Sequence, residues 1–180
     1  MPEEWTVSLG EANEQLAEEL GIGRRRQDEF ALRSHRTAER AWVEGFYDDL
    51  VVDMPGVTLI RDENIRGAST LEALAELRPA FRPEGAITAG NASPLSDGAS
   101  AVLLGTAEAS HRIALDPLAR VAGRGVSAIE PHRFGLAPIE ASERALARAG
   151  VGWGQLGAVE INEAFAVQTL ACMDAWRVDG

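Results

Sequence analysis

Cysteine is almost absent from this 180-residue chain, with Cys172 the only one. An internal disulfide is therefore excluded, and a reducing cytoplasm is the simplest compartment. Histidine is scarce too. His35, His111 and His132 stand far apart, and none pairs with a cysteine at ligand spacing, so a structural zinc site is not expected. Long apolar runs are missing, and no stretch reaches the roughly 18 residues of a membrane span. The start, Met1-Pro2-Glu3-Glu4-Trp5, is acidic and polar, unlike a secretory signal. Positive charge is outnumbered, 17 Lys and Arg against 28 Asp and Glu, for a formal net charge of -11. A field of that sign repels phosphate backbones and anionic lipid, so nucleic-acid and membrane partners are not expected. It still permits a local basic pocket for a phosphorylated ligand.

What is present is a core. Hydrophobic residues make up 46% of the chain, enough to bury a sizeable interior at this length. Ser8 with Glu11 has capping-box spacing, Ala12, Leu16 and Leu20 share a face, and Gly21 suits a helix end. A second helix is predicted over 26–44, with Phe30, Ala38, Ala41 and Trp42 inward and Gly45 as its stop. Residues 50–52 and 57–60 read as short strands around a Pro55-Gly56 turn. Ser69 with Glu72 predicts another cap, followed by a short helix through Leu71, Leu74 and Leu77. From Ala86 onward the chain turns small, apolar and Gly-rich, which marks a boundary near residue 84. Beyond it, 99–104, 118–122 and 156–161 read as buried strands, and 139–149 and 163–176 as helices, with Pro138 in a first turn and Gly150 after it. Alternating strands and helices imply an α/β fold with a parallel sheet and crossover helices.

Three segments are unlike ordinary core. Thr88-Ala89-Gly90-Asn91-Ala92-Ser93-Pro94-Leu95-Ser96-Asp97-Gly98 is dense in small residues, which let backbone approach backbone or ligand. Its polar side chains are costly to bury without partners. A tight loop held by its own Asx and Ser turns is the plainer reading. In Glu160-Ile161-Asn162-Glu163-Ala164-Phe165 a strand passes directly into a helix. Asn162 there is either a helix cap or a side chain facing a ligand crevice, and the two roles are compatible. Phe134-Gly135-Leu136-Ala137-Pro138 reads as a turn leading into a helix. Gly123-Arg124-Gly125 lacks the spacing of a dinucleotide-binding loop.

In order, these segments resemble the thiolase family. Gly10 to Ala17 with Glu14, Arg26 to His35, and Leu77-Arg78-Pro79-Ala80-Phe81 are similar to family segments as well. The resemblance implies an incomplete thiolase-like α/β fold. Residues 1–84 would be most of a coenzyme A-binding loop domain, 85–115 the end of the N-terminal half, and 116–180 the start of the C-terminal half. It implies that Arg66 meets the nucleotide phosphates of coenzyme A, a sound use of a guanidinium, that Phe81, Ala89 and Ser93 line the pantetheine channel, and that Phe165 contacts the substrate. Asn162 would fix a water facing the thioester oxygen, where enolate charge develops.

Coenzyme A and acyl-CoA would be substrates, with no permanently bound cofactor, and the complete protein would be a homodimer or homotetramer. The family nucleophile, a cysteine, and its histidine and second cysteine have no counterpart here. Cys172 reads as a buried inert thiol, and none of the three histidines sits in a gly-his-pro turn. The expectation is therefore the central part of a thiolase, a 3-oxoacyl-CoA enzyme of lipid metabolism, inactive alone. The alternative is a non-catalytic acyl-CoA-binding or scaffold piece. Ala137 stands where the family usually has glycine, which bears on the helix entry, whereas Ser8 and Leu9-Gly10 depart from the acetoacetyl-type pattern and leave a broader 3-oxoacyl or dicarboxylic 3-oxoacyl substrate open. Unpaired strand edges at 102–104 and 159–161 would favour aggregation.

Overall fold

Helices form where caps and periodicity agree. The computed structural model describes residues 6–97 and 99–178, so expectations resting on residues 1–5, Gly98 and residues 179–180 lie outside the described residues. Helix α1 spans Leu9–Leu20. The Ser8 hydroxyl accepts the Glu11 N–H at 3.2 Å, and Gly21 closes the helix at φ 65°. Ala12 and Leu16 are buried as predicted, whereas Leu20 is 43% exposed. Glu11 does not complete a capping box, because its carboxylate is taken by Arg82 at 2.5–3.0 Å, a stronger charge-assisted partner.

Helix α2 (Arg24–Val43) buries Phe30, Ala31 and Leu32, and Gly45 follows it at φ 76°. Ala38, Ala41 and Trp42 are half-buried. Helix α3 (Leu71–Ala75) is capped by Thr70, one residue after the predicted Ser69. Helix α4 (Ala107–Ile113), capped by Thr106, has no predicted counterpart and buries nothing. Helix α5 (Ala137–Ala149) has its proline in the first turn and Gly150 at φ 71°, as the sequence predicts. Helix α6 (Ala166–Trp176) begins three residues later than expected.

The core forms around α6. Leu16 and Ala17 of α1, Phe30 of α2, Ile87, and Phe165, Ala166, Val167, Leu170 and Ala171 of the α6 region make one cluster. It draws on residues before 84, on Ile87, and on residues beyond 116. A 3-10 turn at Pro131–Leu136 packs on α1 and α6. Gly135 lies close against both, and a methyl there would sit 3.0 Å from Leu16 Cδ2 and 3.2 Å from Gln168 Cγ, so those side chains would have to yield slightly.

The predicted strands require correction. Among the described residues none of 50–52, 57–60, 99–104, 118–122 or 156–161 pairs with a neighbour, and the one ladder contact is an antiparallel bridge between Ala92 and Phe165. Val102, Leu103 and Leu104 are 80%, 79% and 74% exposed. A strand gains stability only when a partner takes its hydrogen bonds and covers a face, and here none does. The Pro55-Gly56 turn does form, with Gly56 at φ 82°, but its flanks form no strand among the described residues. The glycines of Gly123-Arg124-Gly125 have a packing role: any side chain at Gly123 or Gly125 would collide with the Ala145 or Ala141 carbonyl of α5. Arg144 and Arg148 of α5 donate to the Val126 and Arg124 carbonyls, fastening this segment along the helix.

Candidate functional site

The Gly-rich loop is held from beneath by buried polar groups. Asn91 is 3% exposed and fully engaged. Its Oδ1 accepts the Thr88 N–H at 2.8 Å, and its Nδ2 donates to Asp28 Oδ1 at 2.9 Å and to the Ala86 carbonyl at 3.0 Å. Asp28 in turn accepts from Arg24 at 2.7 Å. Glu14, also buried, accepts the Ala86 and Ile87 N–H groups at 2.8 and 3.0 Å. Each buried charge or amide thus has a partner, which is the condition for burying it at all. Gly90 lies against Leu74 and Leu77, where a Cβ would fall 2.6 and 2.7 Å from their methyls. The loop is also held by turns of its own, with Thr88 Oγ1 accepting the Gly90 N–H at 3.1 Å and the Thr88 carbonyl accepting the Asn91 N–H at 3.2 Å. This is the local bonding that the plainer reading expects, although it comes from a Thr turn and not an Asx turn.

The same loop is stitched to the turn before α6. Asn91 O accepts the Ala166 N–H and Ala164 O accepts the Ser93 N–H, both at 2.9 Å. This small bridge places Ser93 and Asn162 in the wall of one cavity of about 260 Å³. Asn162 is not the helix cap: Phe165 occupies that position with an extended backbone. Released from capping, the exposed Asn162 side chain makes no hydrogen bond to any described residue. That suits a donor kept for something else.

The other expected residues are distributed around this cavity. Asn64 and Ile65 line it. Arg66, next in sequence, is exposed and outside the lining, with its guanidinium donating to the Glu63 carbonyl and, at 3.4 Å, to the Ile65 carbonyl. Phe165 is buried, and its ring meets Phe81 edge-on at 6.3 Å. Phe81 and Ala89 are exposed and lie outside the cavity lining. The fold therefore puts Ser93 and Asn162 in one lining and leaves Arg66, Phe81 and Ala89 outside it, Arg66 being joined to that lining through His35.

Sequence reasoning passed over Ser34, His35, Asp62 and Glu163, all in the lining. Ser34 donates to Glu163 Oε2 at 2.6 Å, and His35 Nδ1 accepts the Arg66 N–H at 3.2 Å. Burial first, then the Arg66 charge, holds the His35 imidazole below its usual range, against the opposing pull of Glu163 and Asp62. A signal was available. Positions 30, 31, 34, 35 and 38 share one helix face, so Ser34 and His35 are polar residues set within an apolar stripe.

Cys172 is no substitute nucleophile. It is fully buried, its thiol donates to the Gly135 carbonyl at 3.4 Å, and burial pushes it up to about 11. His111 is exposed on α4, and His132 Nδ1 is buried without a partner among the described residues. No three His, Cys, Asp or Glu side chains among the described residues converge for a metal. No described helix is long and apolar enough to cross a membrane.

Comparison with known proteins is consistent along the whole chain. The family description "Thiolase, N-terminal domain" matches residues 4–108, and "Thiolase, C-terminal domain" matches residues 115–180. A 3-ketoacyl-CoA thiolase of Aliivibrio fischeri is 43% identical over 173 residues, covering 92% of this chain and 45% of that protein. An acetyl-CoA acetyltransferase of Paracoccus denitrificans is 44% identical over 169 residues, covering 91% and 43%. Among solved structures, human mitochondrial 3-ketoacyl-CoA thiolase in complex with CoA aligns with a TM-score of 0.92 at 34% identity, over 99% of this chain and 46% of that one. The Bacillus anthracis acetyl-CoA acetyltransferase aligns at 0.89 and 38%, over 96% and 45%. At these identities the fold is an incomplete thiolase fold of the α/β class. The chain spans a little under half the length of the curated relatives it matches.

Proposed function

As this chain belongs to the thiolase family, we propose that it supplies the coenzyme A-facing wall of an acyl-CoA C-acyltransferase. The complete enzyme splits a 3-oxoacyl-CoA with a second CoA into a shortened acyl-CoA and acetyl-CoA, or runs the reverse Claisen condensation. One observation carries the reading. The bridge between Ala92 and Phe165 sets Ser93 and Asn162 into the wall of one cavity, and the Arg66 N–H meets His35 of the same lining.

The chemistry divides accordingly. Thiolysis breaks the bond between the α and β carbons of the 3-oxoacyl chain. The acyl group passes to a thiolate, and the acetyl-CoA half leaves as an enolate that takes a proton. Negative charge collects on the thioester oxygen. The free Asn162 amide positions a donor there through a water, and a donor at comparable oxyanion sites is worth roughly 3–4 kcal/mol. Arg66 pairs with the nucleotide phosphates through a planar, permanently charged group. Ser93, with Phe81, Ala89 and Phe165 flanking, contacts the pantetheine arm and acyl group. The thiolate is assigned to polypeptide beyond these 180 residues, because the one thiol here is buried and protonated.

Residues 1–84 act as the coenzyme A-binding loop domain, 85–115 as the end of the N-terminal half and 116–180 as the start of the C-terminal half. The complete enzyme is a cytoplasmic homodimer or homotetramer. The inert Cys172 also favours a second reading, in which the chain binds acyl-CoA without turning it over. Calorimetry with CoA tests the shared claim, and the absence of heat at millimolar ligand would dismiss both readings. A thiolysis assay with acetoacetyl-CoA should show no turnover for this chain alone. Turnover would refute the assignment of the nucleophile.

A further inference from the structure

We propose that His35 is a positioning residue, whose Nδ1 accepts the Arg66 backbone N–H and holds the Arg66 loop to the lining of the cavity walled by Asn162. This deepens the preceding reading and rests on its assignment of Arg66 to the coenzyme A phosphates.

The loop from Arg61 to Thr70 has no regular structure of its own. It is fastened to α2 at two points one turn apart. Arg61 pairs with Glu39, against whose side chain Gly67 also packs closely, and the Arg66 N–H meets His35 across a separation of 31 residues. An internal turn, Ser69 N–H to Arg66 O at 2.9 Å, then carries that anchor through the loop. On the same helix face Ser34 holds Glu163, beside Asn162, at 2.6 Å. Two consecutive residues of one helix thus fix the loop and the turn on which the phosphate-binding and thioester-facing side chains stand. A ligand that must reach both benefits when their spacing is set before it arrives.

The bond requires a neutral imidazole with its proton on Nε2. The charged groups facing the ring are Arg66 and Asp62 from the loop and Glu163 from the turn before α6. Arg66 favours the neutral form and the two carboxylates oppose it, while burial adds the largest effect on the neutral side. At neutral pH the acceptor is therefore in place.

The test uses the 180-residue chain at about pH 7.5, above the ordinary histidine range, with two variants. His35→Leu keeps bulk and removes the acceptor, whereas His35→Gln offers an amide oxygen to the same N–H. Amide hydrogen exchange at Arg66 and CoA affinity by calorimetry are measured for each, with thermal melts to establish that wild type and variants fold alike. In the wild type the Arg66 amide is protected. The His35→Leu variant should lose that protection and weaken CoA binding about fivefold, and the His35→Gln variant should retain protection and stay within about twofold. Equal exchange at Arg66 in the wild type and H35L overturns the proposal, as does equal weakening by both variants. If exchange follows the prediction but no form binds CoA, the phosphate assignment of Arg66 fails while the His35 anchor stands.

Discussion

Two apolar regions of this chain meet opposite fates. Helices α1, α2 and α6, with the Gly-rich loop between them in space, form a core in which Leu16 and Val167 are 2% and 0% exposed. The stretch 99–122 is also rich in Val, Leu and Ile, yet its described residues are exposed apart from two half-buried ones in α4. The difference lies in the backbone. A helix satisfies its own N–H and C=O groups and needs neighbours for one face only. A buried parallel strand depends on others for both its hydrogen bonds and its two faces. The first region carries its partners within 180 residues, whereas the second has none among those described.

Substitution should break this comparison most sharply at matched leucines. Leu16→Ala empties a closed site and is expected to cost about 2–5 kcal/mol, read by chemical denaturation. Leu103→Ala, exposed in the 99–122 stretch, should change stability by less than about 0.5 kcal/mol. Equal losses would mean that the 99–122 stretch is packed in solution. Next in size is Asn91→Ala, which leaves Asp28, the Thr88 N–H and the Ala86 carbonyl short of a partner. Its expected cost is about 2–3 kcal/mol, with faster amide exchange at Ser93 and Ala166 as the loop detaches.

Smaller still is Arg82→Met. Arg82 grips Glu11 and Glu18 at a partly exposed site, so the loss should stay under about 1 kcal/mol. Its hydrogen bond to Arg82 holds the Glu11 carboxyl below the ordinary range. The stabilisation is therefore complete above that range and fades as pH falls through the lowered value, so wild type and variant should converge in acid. The last effect is a null one. With its thiol at about 11, Cys172 should resist alkylation at about pH 8, near the ordinary thiol range, until denaturant is added. The raised value favours the neutral thiol, so that contribution is complete below about pH 9, the ordinary thiol value here, and is lost as pH rises towards 11. Rapid native-state labelling would show the helix to be open.

Much of the helical framework was legible in sequence. Ser8, Gly21, Pro138 and Gly150 signal their helix ends through side-chain caps, proline geometry and left-handed glycines, all local effects. The cavity's two walls were legible as motifs at Thr88–Ser93 and Asn162–Phe165, although Asn162 was equally readable as a cap. What escaped notice was non-local. Whether residues 102–104 become a strand depends on a partner, not on their own β-propensity. Ser34 and His35 acquire meaning only from Glu163 and Arg66, distant in sequence by 129 and 31 residues. The glycines at 123 and 125 look like a weak ligand loop until α5 is seen lying against them.

The most direct probe is a backbone-amide NMR titration of this chain with CoA. Shift changes should concentrate at Ser93 and Asn162, in one cavity lining, and at Arg66, joined to that lining through His35. Changes centred instead on the arginine-bearing outer face of α2, or none at millimolar ligand, would contradict a coenzyme A site built from these residues.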